Sequence, residues 1–352
     1  MKTVFLVIGI SLPLLFVSCG DFAARKLLNR TLEITAYRGK ETEVTIPAEI
    51  KGVRVTVISC NNKGIGAFQD KQLTGVVIPD SITYIGSCAF SRNYLTSVVI
   101  PPKVTYIDYG AFVSNQLTGI VIPSSVIHIG WDAFRDNQLT GVVIGSGVTT
   151  IGNYAFSNNR LTEIVIPPSV TYIGYGAFMV NQLTGIVIPS SVIYIGGSAF
   201  ANNQLTSVTI PDSIVTIRKH AFSNNQLTSV VISGIVYEIE SDAFSGNQLT
   251  DITIPATVKK IGDRAFYGNP LTGIVIGSNV ELGKDLIFQD RDVSSESDGF
   301  YYHDQYRFNF AYGYHFHEQY NQNKRGGRYE IREVGGADSG IQVYGWTWTG
   351  YQ

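Results

Sequence analysis

The chain has 352 residues, a net charge of −2 and 15% charged residues, against about a quarter in ordinary globular domains. Its 44% apolar content excludes a wholly disordered chain, and 26 Lys+Arg against 28 Asp+Glu excludes the basic excess that a nucleic-acid partner needs. What remains is a weakly charged protein rich in glycine (36) and in aromatics (18 Phe, 20 Tyr, 3 Trp).

In chain order, the first element is a leader at 1–18. Lys2 precedes an apolar run from Val4 to Val17, too short for a membrane-spanning helix and of the length of a signal-peptide core. Phe16-Val17-Ser18-Cys19-Gly20 resembles a bacterial lipobox, with Phe16 where Leu is usual. The resemblance implies cleavage before Cys19 and lipid attachment to it. The mature protein is then exported and anchored to a membrane, at the outer membrane or cell surface, without spanning it. An ordinary signal peptide with an incidental Cys19 is the alternative. Cys60 and Cys88 are too few for a disulfide framework and read as incidental, with a mutual disulfide as the other option.

Residues 19–66 read as an N-terminal cap and divergent entry repeat. Tyr37 to Pro47 matches the strand-and-proline part of the unit that follows, and a ten-residue insertion containing Lys51-Gly52-Val53-Arg54 comes after it.

From 67 to 288 one period governs the chain. Ala-Phe recurs with Phe at 68, 90 and every 22 residues to 266, and Leu-Thr follows five residues behind each time. In the copy starting at Asn115, Leu117, Ile120 and Ile122 give the L-x-x-L-x-L spacing of a leucine-rich strand, and Pro123 ends it. Val126 and Ile129 point inward from a second short arc, Gly130 makes a corner, and Ala133-Phe134 begins the return. No such coil can bury its apolar side alone, so the coils stack. Phe, Leu, Ile and Val become core columns. Thr after Leu, and Asn before Gln-Leu (Asn115, Asn137, Asn181, Asn203, Asn225, Asn247), read as ladders that satisfy backbone groups. Phe288 marks a degraded eleventh coil with its corner at Leu282-Gly283. The expected fold is a leucine-rich repeat solenoid, mainly β. It has a parallel sheet with one main strand per 22-residue coil, a short second extended arc and little helix, and it ends in a small aromatic-rich β segment.

The strand-Ile-Pro, Val-x-x-Ile-Gly and Ala-Phe elements over about 34–288 resemble the BspA-like, or treponemal-type, leucine-rich repeat family of bacterial surface proteins. The family's common unit has 23 residues with Cys after Ala-Phe; here it has 22, with Asn-Gln. The resemblance implies adhesion to host proteins or to other bacteria.

Residues 289–299 are polar and acidic and read as a linker. Residues 300–352 are aromatic-rich, and Tyr306 to Phe316 alternate with a strand period. Phe316 to Tyr329 resembles a C-terminal segment of some of these repeat proteins. The segment reads as a cap over the last coil, with an aromatic binding module as the alternative. His303, His315 and His317 lack a third ligand at a metal spacing, so no metal or other cofactor is expected. His128 and His220 fall at variable positions and are expected to be exposed. No nucleophile elbow or phosphate loop is present, so the chain reads as a non-enzyme.

Two exposed columns are the candidate binding surface. One follows the main strand through Val121, Val143 and Val165, with Gly or Ser beside it except at Glu163 and Asp251. The other follows the second arc through Tyr84, Tyr106, His128, Tyr172 and Tyr194. The reading is a surface lipoprotein that binds host matrix proteins, bacterial surface proteins or itself. The alternatives are a passive spacer presenting its C-terminal segment, and a metal-dependent module at 300–352.

Overall fold

The computed structural model describes residues 16–278, 280–283, 327–336 and 342–350. Most of the leader, the linker at 289–299, Phe288, the strand expected over 306–316, and His303, His315 and His317 lie outside the described residues.

The described chain is a β-solenoid. β1 (Phe16–Cys19), which takes in the last three residues of the expected leader, pairs antiparallel with β2 (Phe22–Lys26), and β2 pairs antiparallel with β3 (Leu32–Tyr37) in the N-terminal cap. β4 (Glu43–Thr45) starts the entry coil. The expected insertion folds as a hairpin of β5 (Glu49–Ile50) and β6 (Val53–Ile58), which turns at Lys51-Gly52. β6 pairs parallel to β3 and passes the ladder to Tyr84–Ile85.

Each coil buries the predicted columns. Leu117, Val126, Ile129, Ala133 and Phe134 have no exposed surface, and Ile120 and Ile122 have at most 5%. The Phe rings stack face to face along the axis, at 5.1–5.6 Å between centroids and 4–14° between planes, from Phe68 to Phe266. Tyr37 continues the stack at 5.5 Å, and Phe22 leans on Tyr37 at 5.5 Å. The cap therefore closes the column with two more rings.

The Asn ladder works as expected. The side chain of Asn115 accepts from Leu95 N–H at 3.2 Å and donates to the carbonyls of Phe90 and Phe112 at 2.9 and 3.1 Å. The same buried arrangement recurs from Asn93 to Asn269. The Thr ladder runs outside. Thr140 donates its N–H and hydroxyl to the Thr118 carbonyl.

The parallel sheet has a longer hydrogen-bonded ladder in the short second arc than in the main strand. Two-residue strands from Tyr84–Ile85 to Tyr194–Ile195 continue the cap sheet, and a second set runs from Thr216–Ile217 to Glu281–Leu282. The main strands pair in short ladders, the first of them β4 with Gly75–Val77. Gly119–Ile122 pairs with Gly141–Ile144, Ser207–Ile210 with Ser229–Ile232, and Asp251–Thr253 with Gly273–Ile276. In these three pairs the later strand is followed by Gly145, Ser233 or Gly277 where its neighbours carry proline. Residues 97–100, 163–166 and 185–188, each followed by proline, lie outside any ladder. Proline has no N–H to offer the preceding coil, so it weakens the ladder without abolishing it, since Gly75–Val77 pairs with β4 although Pro79 follows.

The corner glycines act by close approach. A Cβ on Gly130, Gly152, Gly174 or Gly196 would stand 2.4–2.6 Å from atoms of the preceding coil. Left-handed backbone occurs elsewhere in the unit. Every coil carries it just before Ala-Phe, from Cys88 to Arg264, and two residues after Phe, from Asp70 to Gly268. Asn, Asp and Gly suit that conformation, and a β-branched residue does not. Val180 is the misfit, at φ 56° between Asn158 and Asn202 in the same column. Val180→Asn is therefore expected to raise stability by about 1 kcal/mol, seen as a higher urea midpoint at unchanged slope. A lower midpoint would count against strain at this position.

At the C-terminal end, Gly327–Gly336 pairs antiparallel with Gly273–Ile276 and with Gln342–Gly350. This hairpin continues the main-strand sheet beyond the last coil.

Candidate interaction surface

The main strand presents a ridge. Val77, Val99, Val121, Val143, Val165, Val187 and Val231 are 56–81% exposed. Alternation sends Ile120 and Ile122 into the core and leaves Val121 outside. Beside the ridge runs a strip of glycine and serine, broken by the exposed Glu163 and Asp251. The fold does not require these glycines. A Cβ on Gly141 or Gly185 would meet nothing within 4 Å, and one on Gly119 only a carbonyl at 3.8 Å. Ser97, Glu163, Ser207 and Asp251 show that the position accepts side chains. Glycine in a strand costs roughly 0.5–1 kcal/mol, so the strip lowers stability while leaving the Val ridge standing clear.

The arc column is less open. Tyr84, His128, Tyr172 and Tyr194 are half-buried, and Tyr106 is exposed. Their rings lean on one another, with Tyr84–Tyr106 at 6.4 Å, Tyr106–His128 at 5.7 Å and Tyr172–Tyr194 stacked at 4.6 Å. Thr150 stands between the two groups in the ladder. The Tyr84 hydroxyl donates to Asp108 at 2.5 Å, and burial with that carboxylate pushes its pKa well up. Arg218 lies over the Tyr194 ring at 5.3 Å and pairs with Glu240 at 2.9 Å, so it bridges the break in the arc ladder. The expectation that His128 and His220 are exposed is corrected. Both are half-buried, because their rings lie against neighbouring coils, and burial lowers both pKa values.

Sequence reasoning missed Tyr109, Trp131 and Tyr175, which are 43–57% exposed. They share one position just past the corner at the 22-residue step or twice it, which is the signal that would have found them. Cys60 and Cys88 are free thiols, and burial pushes the Cys88 thiol up.

Near the last coils a groove of about 400 Å³ is lined by Lys219, Glu238, Glu240, Lys260, Asp263 and Glu281. Lys260 pairs with Glu238 at 2.9 Å, and Glu240 is held by Arg218, so much of its charge is answered internally. Among the described residues no group of three or more His, Cys, Asp or Glu could hold a metal ion, and no helix is long and apolar enough to cross a membrane.

Residues 63–184 and 173–293 match a family model described as a BspA type leucine-rich repeat region. The chain belongs to the BspA-type leucine-rich repeat family. Solved structures similar to the chain include a leucine-rich cell surface protein from Faecalibacterium prausnitzii, 25% identical over 81% of this chain and 98% of that one, with a TM-score of 0.45. The pneumococcal vaccine antigen PcpA is 18% identical over 82% of this chain and 91% of that one, with a TM-score of 0.53, and shares the fold. No curated protein matches the chain. A BspA-type solenoid offers the extended surfaces that stacked repeats use in protein interaction.

Proposed function

We propose that this BspA-type chain is a surface-anchored adhesin that binds a protein through its main-strand face and carries out no catalysis. The carrying observation is the Val ridge with a glycine strip that the fold does not need. An apolar ridge on a rigid sheet offers a partner a contact surface that is not reordered on binding. The arc column is the weaker candidate, since its rings are largely occupied with one another. Residues 1–18 act as the leader, Cys19 carries the lipid, 19–66 cap the solenoid of 67–288, and 300–352 follow the linker at 289–299. The partners in view are host matrix proteins and bacterial surface proteins.

The test separates binding from stability. Gly141→Thr with Gly185→Thr fills the strip beside the ridge. The double variant is expected to melt at the same temperature or higher, because each change removes a glycine and its conformational freedom in the unfolded chain. It is also expected to lose binding to whichever matrix or bacterial surface protein the parent captures in a screen. Retained binding overturns this face. Deleting 300–352, with folding followed by circular dichroism, separates the adhesin from a spacer that binds through its tail. Cys19→Ser is expected to abolish incorporation of labelled fatty acid into the protein.

A further inference from the structure

The turn between β2 and β3 projects one apolar side chain into solvent. Leu28 is 91% exposed, the highest value among the exposed large hydrophobics of the described residues. The turn is built to hold it there. Leu27 N–H donates to the Thr31 carbonyl at 2.8 Å, Arg30 N–H to the Leu27 carbonyl at 3.0 Å, and the Thr31 N–H and hydroxyl both donate to Asn29.

A lone exposed leucine is ordinary. The surroundings of this one are not. Lys26 and Arg30 flank it and are exposed. The register Leu32↔Val55, fixed by a 2.7 Å contact between the Thr31 and Thr56 hydroxyls, brings the exposed Lys51 and Arg54 to the same edge. Of the nearby carboxylates, Glu33 is buried and paired with Arg25, and Glu49 stands opposite Arg54. Residues 20–66 hold 8 Lys+Arg against 5 Asp+Glu, and residues 67–352 hold 17 against 23. The cap is the basic end of an otherwise acidic molecule.

We propose that this turn is a contact point for an anionic lipid surface. Leu28 enters the bilayer interface, and Lys26, Arg30, Lys51 and Arg54 meet phosphate headgroups. An apolar tip ringed by cations is the composition of an interfacial anchor. A protein partner is disfavoured, because one side chain on a turn offers no patch approaching the roughly 1,000 Å² of a specific interface. The geometry gives the contact a use. Cys19 pairs with Phe22 at one end of β2, and Leu28 follows the other end, so both stand at the N-terminal face of the solenoid. Five strand residues set them about 17 Å apart. Contact at Leu28 is separate from acylation at Cys19; together the two points would stand the stacked coils upright on the membrane.

The experiment uses the full chain carrying Cys19→Ser, which removes any lipid, and adds Leu28→Trp as a reporter, with Cys19→Ser alone as background. Vesicles of phosphatidylglycerol and phosphatidylcholine are expected to shift the added indole emission to the blue, and brominated acyl chains to quench it. Pure phosphatidylcholine is expected to do neither. Lys26→Gln with Arg30→Gln is expected to raise the lipid concentration needed for quenching about 25-fold, about fivefold per cation, the equivalent of about 1 kcal/mol each. The same measurement on residues 19–352 is expected to give the same shift, and its loss there would assign the contact to the leader and overturn the proposal. Three other results each overturn the proposal: no change in emission with anionic vesicles, equal quenching on neutral ones, or a shift that follows protein concentration without lipid, which would indicate a second copy.

Discussion

Phe156→Ala is expected to cost about 3–5 kcal/mol and to divide unfolding into two steps. Phe156 has no exposed surface and stacks on Phe134 at 5.4 Å and on Phe178 at 5.6 Å. Removing the ring leaves a cavity whose walls belong to three coils, and the stacked neighbours cannot collapse into it without leaving their own register. In a solenoid each coil contacts only the next, so stability is a sum of local terms. A weak interface in the middle uncouples the coils before it from those after it. Urea titration followed by far-ultraviolet circular dichroism is expected to show one transition for the parent and two for the variant. Val165→Ala, at an 80% exposed position, is the control and is expected to change stability by less than about 0.5 kcal/mol. A single sharp transition shifted by less than about 1 kcal/mol in the Phe156 variant would falsify the nearest-neighbour account.

The second large effect belongs to the Asn ladder. Asn159 is buried, accepts from Leu139 N–H at 3.0 Å and donates to the carbonyls of Phe134, Phe156 and Ser157 at 3.0–3.2 Å. Asn159→Ala orphans these groups together, and each buried orphan costs about 1–3 kcal/mol. A loss of at least 3 kcal/mol is expected. Asn159→Asp is the sharper test, because it keeps shape and acceptor but removes the donor. An ionised carboxylate facing carbonyls is disfavoured, so the folded-state pKa rises above the unfolded value near 3.9. The folded state then binds the proton more tightly. The variant is most stable below the unfolded pKa and loses stability as pH rises through the folded one. Thermal melts between pH 3 and pH 7 read this directly. A variant no less stable at pH 7 than at pH 4 would remove the ladder from the list of structural supports.

The parts of the fold that could be read in the sequence are those where one residue type holds one place. Phe at every twenty-second position has to be a column, because no other arrangement buries it in every copy. The Asn ladder was legible only where Gln follows it. Asn93, Asn159 and Asn269 are followed by Tyr94, Arg160 and Pro270, and they belong to the same ladder. The left-handed columns were illegible, since Cys88, Tyr154 and His220 share a conformation that no residue-type preference links. The degree of burial in the arc column also escaped the sequence. Whether Tyr84 or Tyr172 is exposed depends on what the next coil places beside it, Asp108 in one case and Tyr194 in the other. The Val ridge was visible from alternation alone. That its neighbouring glycines have room to spare required the backbone.

The equivalence of successive coils has a genetic consequence. Leu139 meets Asn159 as Leu161 meets Asn181, and the Phe rings keep nearly one spacing throughout. Losing or duplicating 22 codons in frame therefore joins surfaces that already fit. Recombination between the near-identical copies lengthens or shortens the rod in increments of about 4.8 Å while both ends keep their own structure. The reach of the molecule becomes an adjustable trait, changed without any new interface having to evolve.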